Sequence, residues 1–193
     1  MHDANTSGLI GLPVIKEKVE RSMADQRWEV AREAAVAGLA LKPSEHWFLE
    51  RLAAAEYQLG NYAESLSLAD RALASEPQCF LATWDRAEAL YALGDVDAAL
   101  EAYGKLTQAG VDGIMSDMCN EGREWAQALV SDSFYRSARL LAKQGLFERS
   151  AAFLETAIAL RREGLDSLYP LQELRDVLAY VTSKSQSSPP EDA

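Results

Sequence analysis

A fixed interval between similar residues is the sequence feature that most constrains the fold. Gly94 follows Gly60 by the same interval as Pro77 follows Pro43. We call this interval the repeat step, and small residues keep it at one position of three successive segments, namely Ala31, Ser65 and Ala99. A period of about 34 residues is typical of stacked supersecondary units, none of which can bury its apolar face alone. The chain is therefore predicted to form a repeat array.

The spacing of apolar residues within a repeat is helical. Two apolar stripes occur in the second repeat, one formed by Leu49, Leu52 and Ala53 and the other by Leu66, Ala69, Ala72 and Leu73. Gly60 separates them and can adopt the left-handed conformation that ends a helix. Asn61 follows as a possible N-cap of the next helix. Because β-branched residues are also sparse, the sequence predicts two helices per repeat and no strands.

The period divides the chain into an α-solenoid of about four helix-turn-helix repeats. The predicted units span residues 12–45, 46–79, 80–113 and 131–164. Residues 114–130 are predicted as an inserted helix or as an extension of the fourth unit's first helix, and Gly122 leaves the choice open. Residues 165–182 are predicted as a C-terminal capping helix. Residues 1–11 are expected to be flexible, and the Ser/Pro-rich residues 183–193 to be disordered.

Charge and composition disfavour several classes of partner. The net charge is −11, from 30 acidic and 19 basic residues. Phosphates of nucleic acids and anionic membrane surfaces would be repelled, whereas a basic protein partner is compatible. The sequence has no apolar run long enough to span a membrane and no secretory signal pattern. The two cysteines, which lie far apart in the sequence, do not suggest a disulfide framework. These features favour the cytoplasm.

No constellation of residues points to catalysis or metal binding. The two histidines are His2 and His46, and only Glu50 follows His46 by one helical turn, which is too few ligands for a metal. Cys79 and Cys119 are interpreted as small packed side chains. We therefore expect no enzyme activity, no metal and no cofactor. An enzyme with an unrecognised helical active site and a self-associating subunit remain the alternatives.

At these positions the sequence resembles the tetratricopeptide repeat family. The resemblance covers about residues 12–164 and rests on the repeat step, the closing glycine, the small residue and the proline that ends a repeat. The repeats are degenerate, since Gln26 replaces the first closing glycine and Val111 replaces a proline. The resemblance implies a protein–protein interaction module, such as an adaptor, assembly factor or chaperone. It also implies that first helices line a concave groove that binds a partner peptide or helix.

Carried over by register, the resemblance places an aromatic and acidic set of residues in that groove. The predicted partner-binding residues are Trp47, Glu50, Tyr57, Trp84, Glu88, Tyr91, Tyr135 and Arg139. Such a surface would suit a partner with apolar anchors and basic groups. The alternative is that Trp47 and Trp84 pack between helices. The family's carboxylate clamp is rejected, because among the expected positions only Lys16 matches.

Overall fold

All regular structure that the computed structural model describes is α-helical, as the sequence predicts. The structure describes residues 4–117, 119, 121–161, 165 and 167–187. The helices within these ranges are α1 (Ala4–Ala24), α2 (Trp28–Leu41), α3 (His46–Gln58), α4 (Tyr62–Ser75), α5 (Phe80–Leu93), α6 (Val96–Met115), α7 (Arg123–Lys143), α8 (Phe147–Leu160) and α9 (Leu171–Ser187). None of these described helices combines the length and the low polarity that crossing a bilayer requires.

The chain forms two compact units, Met1–Asp95 and Val96–Ala193. In the first unit, each of the helices α1 to α5 packs against the next in sequence, and α3 also packs against α5. In the second unit, α6 to α9 likewise pack in sequence order. Contact between α3 and α5, which are the first helices of successive repeats, is what stacked helical hairpins produce.

Small side chains let the helices of the first unit approach closely. Ala31, Ala35 and Ala53 are completely buried. Gly38 of α2 lies directly against the ring of Phe48 in α3, which is also completely buried. The small residues that keep the repeat step are therefore positions where helices meet.

The helices of successive repeats end in the same backbone conformation. Gly60, Gly94 and Gly145 have φ angles of 83°, 84° and 78°, which confirms the left-handed ending expected at Gly60. Gln26 takes φ 55° at the equivalent point of the first repeat, although it has a side chain. Asn61 occupies the N-cap position of α4 but makes no capping bond. Its amide nitrogen instead donates to Glu56 Oε2 at 2.6 Å.

Among the described residues between 114 and 130, helix occurs at the end of α6 and at the start of α7, and not as a separate element. Ile114 and Met115 complete α6, which kinks at Gly110 with φ 63°. α7 begins at Arg123, directly after Gly122 with φ 105°. Because this conformation cannot continue a right-handed helix, Gly122 sets the boundary. Residues 123–130 thus belong to α7, the first helix of the predicted fourth unit, whereas Ile114 and Met115 belong to α6.

The described terminal segments are more helical than the sequence predicts. Residues 4–11 belong to α1, which is anchored by buried Leu12 and Val19, and residues 1–3 lie outside the described residues. α9 begins at Leu171 and not at residue 165, and it continues through residues 183–187. Leu174 and Val181, both completely buried, hold it in place. The remaining residues of the predicted tail, 188–193, are also outside the described part.

A buried ion pair fixes the segment that leads into α9. Arg161 Nη2 lies 2.6 Å from Asp132 Oδ1, and the two side chains are only 3% and 4% exposed. Asp132 also accepts hydrogen bonds from Ser167 Oγ at 2.7 Å and from Leu168 N at 3.2 Å. These donors satisfy the carboxylate that burial would otherwise destabilise. The ion pair thus determines where the chain enters α9.

Candidate functional site

Five predicted partner-binding residues lie together on the first helices of the first unit. We call Trp47, Glu50 and Tyr57 of α3 and Glu88 and Tyr91 of α5 the aromatic–acidic face. The packing of α3 against α5 brings the two halves together. The Tyr57 hydroxyl donates to Glu88 Oε2 at 3.0 Å, which joins the halves directly. The three aromatic residues are half-buried, so each keeps some solvent-exposed surface.

Two cationic side chains pack against the Trp47 ring. Lys16 Nζ of α1 lies 4.7 Å from the centroid of the Trp47 ring, and Arg51 Cζ lies 5.5 Å from it. The Phe48 ring packs edge-on at 5.0 Å. Each cation–π contact is worth about 0.5–1 kcal/mol at a partly exposed site. Trp47 therefore links α1 to α3 as well as facing solvent.

Trp84 does not belong to the face. Its side chain is only 8% exposed, so it packs inside the first unit, as the alternative interpretation allowed. The sequence register places Trp84 one repeat after Glu50, but register alone does not decide which neighbour covers a side chain. Trp84 therefore offers little ring surface to a partner, and the similarly covered Glu50 and Glu88 stay in the proposed set only as carboxyl groups beneath the exposed rings.

The two carboxyl groups of the face, Glu50 and Glu88, belong to a buried cluster beneath its aromatic rings. Glu50, Asp85 and Glu88 are 3%, 7% and 4% exposed, and Arg51 contributes a cation that interacts with Asp85. Arg51 Nε lies 3.3 Å from Glu50 Oε2. Burial raises the pKa of Asp85 well above its usual value; Glu50 and Glu88 raise it further, whereas Arg51 lowers it. We call these four residues the acidic cluster.

Sequence reasoning missed the part played by Asp85, although the period contains a signal for it. Asp85 follows Arg51 by one repeat step, so the two occupy equivalent positions on successive first helices. Residues at equivalent positions of stacked repeats are brought close together. Opposite charges at one repeat position are therefore a sign of an inter-repeat contact.

In the second unit, the two predicted binding residues are engaged by α9 and the segment before it. Tyr135 is completely buried, and its hydroxyl is hydrogen-bonded to the Glu173 carboxylate. The Tyr169 ring packs 4.7 Å from the Tyr135 ring. Arg139 Nη1 lies 3.8 Å from Glu173 Oε1. Burial, reinforced by the bond to Glu173, raises the pKa of Tyr135 to about 12. Tyr135 is therefore covered by α9 and the segment before it, and it presents no surface to a partner in this structure.

Comparisons with known proteins identify the type of repeat. The family model described as a tetratricopeptide repeat matches residues 50–110. No curated protein gives a significant match to the chain.

Solved structures extend the likeness to the whole fold. A structure of MamA from Desulfovibrio magneticus superimposes with a TM-score of 0.67 at 14% identity, over 91% of this chain and 85% of that one. A Podospora anserina structure, a putative kinesin light chain with nearly identical TPR-like repeats, gives 0.58 at 19% identity over 92% and 97%. Residues 50–110 are thus tetratricopeptide repeats, and the chain has the all-α solenoid fold of tetratricopeptide-repeat proteins.

Proposed function

We propose that this protein is a protein–protein interaction module that binds a peptide or helix of a partner on its aromatic–acidic face. The observation that carries the proposal is the hydrogen bond between Tyr57 and Glu88, which fixes a half-exposed aromatic ring between two successive first helices. The module would act as an adaptor, an assembly factor or a chaperone.

The face has the chemistry of a preorganised binding surface. Trp47, Tyr57 and Tyr91 offer large contact areas at a low cost in side-chain entropy. The Tyr57 ring is also packed 5.3 Å from the Tyr62 ring, so little rotamer freedom remains for a partner to remove. The neighbouring carboxyl groups favour a partner that carries basic residues.

The fold supports binding rather than catalysis. Tetratricopeptide solenoids are built as interaction scaffolds, and we propose that this chain has no enzymatic activity. The two cysteines lie far apart in the sequence and do not suggest a disulfide framework, and we propose the cytoplasm as the location.

The experiment that tests the proposal compares two matched variants against an identified partner. The partner is first identified by co-purification from the native host, followed by mass spectrometry, and is then purified. Calorimetric titration measures its affinity for the wild-type protein, for Tyr57→Ala/Tyr91→Ala and for Tyr180→Ala. Tyr180 is a control because it is 55% exposed but lies on α9.

Loss of two aromatic anchors should weaken binding by about tenfold or more, since truncated hot-spot residues typically cost about 2 kcal/mol or more. Tyr180→Ala should bind like the wild type. If the double variant keeps its helical circular dichroism and its affinity, the aromatic–acidic face is not the binding site.

A further inference from the structure

The acidic cluster beneath the aromatic–acidic face carries an inference that rests on the proposed function and names the chemistry of the partner. We infer that the cluster formed by Glu50, Asp85, Glu88 and Arg51 receives a lysine or arginine side chain of the partner, and that docking of this cation expels a proton from the cluster.

The first argument is charge balance. The cluster holds three carboxyl groups and one guanidinium, and the carboxyl-bearing residues are all more than nine-tenths buried. With every group ionised, the cluster as a whole would carry an excess of negative charge. Burial of unbalanced charge is costly unless the group is neutralised by a proton or by a partner of opposite sign. A cation from a partner would therefore offset the excess of carboxyl groups in the cluster.

The second argument is an unsatisfied atom. Asp85 Oδ2 is shielded from solvent and has no hydrogen-bond partner among the residues that the structure describes. Buried polar atoms in folded proteins are nearly always paired, so this carboxyl oxygen calls for a donor that the described residues do not supply. The Asp85 carboxyl group interacts electrostatically with Glu50, Glu88 and Arg51, so it belongs to the cluster.

Proton release follows from the same geometry. Burial and the neighbouring Glu50 raise the pKa of Asp85 above its usual value, which favours its protonated form in the free protein. A cation that arrives beside Glu88 and Glu50 offsets their negative charge. The pKa of Asp85 then falls, and the O–H proton passes to solvent as the carboxylate forms.

Tyr57 connects the surface of the face to the buried cluster. Its hydroxyl donates to the buried Glu88 carboxylate, while the residue itself is half-exposed, so a cation that packs beside Tyr57 is close to Glu88. The groups from α3 that face Asp85 are Glu50 and Arg51, and Glu88 is the one from α5 itself. On α4, the carboxylate of Asp70 pairs instead with Arg86 Nε at 2.8 Å.

The first experiment measures charge recognition with a defined probe. The probe is a short amphipathic helical peptide of leucine and lysine, and its match has every lysine replaced by glutamine. Calorimetry compares the wild type with Glu50→Gln/Glu88→Gln and with Glu29→Gln/Glu33→Gln. The control pair is exposed on α2 and removes the same formal charge from the same unit.

The lysine peptide should bind the cluster variant about tenfold more weakly or worse, which corresponds to about 1.4 kcal/mol. The control variant should stay within about twofold of the wild type, because exposed charges are screened. The glutamine peptide should not distinguish the three proteins. Equal losses in both charge variants, or no binding of the lysine peptide to the wild type, would overturn the inference.

The second experiment measures the proton and needs only the folded wild type for its main result. The lysine peptide is titrated at pH 7 in phosphate and in Tris, whose ionisation enthalpies differ. Heats that differ between the buffers should report proton release from the wild type, and Asp85→Asn should abolish the difference. Buffer-independent heats in the wild type would contradict the coupling. Consider a natural partner that binds less tightly when Tyr57 and Tyr91 are replaced, yet shows no dependence on the acidic cluster and no buffer-dependent heat. That result would support the proposed function and contradict this inference.

Discussion

Replacement of Gly38 by alanine should destabilise the protein, although alanine is the better helix former. A Cβ atom at Gly38 would lie 2.4–2.6 Å from three carbon atoms of the Phe48 ring. Ordinary contact begins near 3.4 Å, so the ring would have to move by about 1 Å. Phe48 is completely buried, and overpacking of a closed core costs about 1–3 kcal/mol. Because the clash involves three atoms of a rigid ring, we take the upper value of about 3 kcal/mol.

The gain in helix propensity offsets part of this cost. Alanine is favoured over glycine by about 1 kcal/mol in a helix interior, which leaves a net loss of about 2 kcal/mol. Gly104→Ala is the matched control, because Gly104 lies within α6 and its Cβ would meet nothing within 4 Å. That variant should gain about 0.5–1 kcal/mol.

The assay is urea unfolding followed by circular dichroism in the helical band of the far ultraviolet. Phe48→Leu in the Gly38→Ala background should recover part of the loss, because a smaller side chain leaves room for the methyl group. If Gly38→Ala raised the unfolding midpoint as much as Gly104→Ala does, the close approach of α2 and α3 would not be a determinant of stability.

Three further predictions concern charge and backbone conformation. Because burial raises the pKa of Asp85, the stability from this group is complete below its unfolded pKa and is lost as pH rises through the folded value. Asp85→Asn should therefore equal the wild type at about pH 3 and exceed it above the raised pKa, as urea midpoints across pH would show. Arg161→Ala should cost about 3–5 kcal/mol in the same assay, because the buried Asp132 carboxylate would lose its cationic partner Arg161. Exposed Arg175→Ala should change stability by less than about 0.5 kcal/mol. Gly94→Ala, at φ 84°, should lower the thermal midpoint by an amount equivalent to about 1–2 kcal/mol, and Gly94→Asn should lower it less.

The fold was largely predictable because its determinants are local. A glycine such as Gly60 or Gly94 ends a helix through its own backbone freedom, so its position in the sequence marks the boundary. Gly122 shows the limit of this reasoning. Its positive φ separates α6 from α7, but the same glycine could have stood inside one continuous helix without breaking the apolar pattern.

The binding face was only partly predictable because burial depends on distant neighbours. Tyr57 and Trp84 both lie on first helices, yet Tyr57 is half-exposed and Trp84 is nearly covered. The hydroxyl of the buried Tyr135 is hydrogen-bonded to Glu173, which belongs to a helix far along the chain. No periodicity contains that information, since it depends on which segment finally packs over each ring.

The contacts of α9 and its preceding segment with Tyr135 restrict which helices can replace α9 in the second unit. The buried hydroxyl needs a carboxylate acceptor, which Glu173 supplies, and the ring needs the aromatic contact that Tyr169 supplies. A helical hairpin grafted in place of α9 would leave the phenol without an acceptor in an apolar setting, at a cost of about 1–3 kcal/mol. Protein engineers who wish to lengthen this array must therefore transplant an acid and an aromatic residue together with the new repeat.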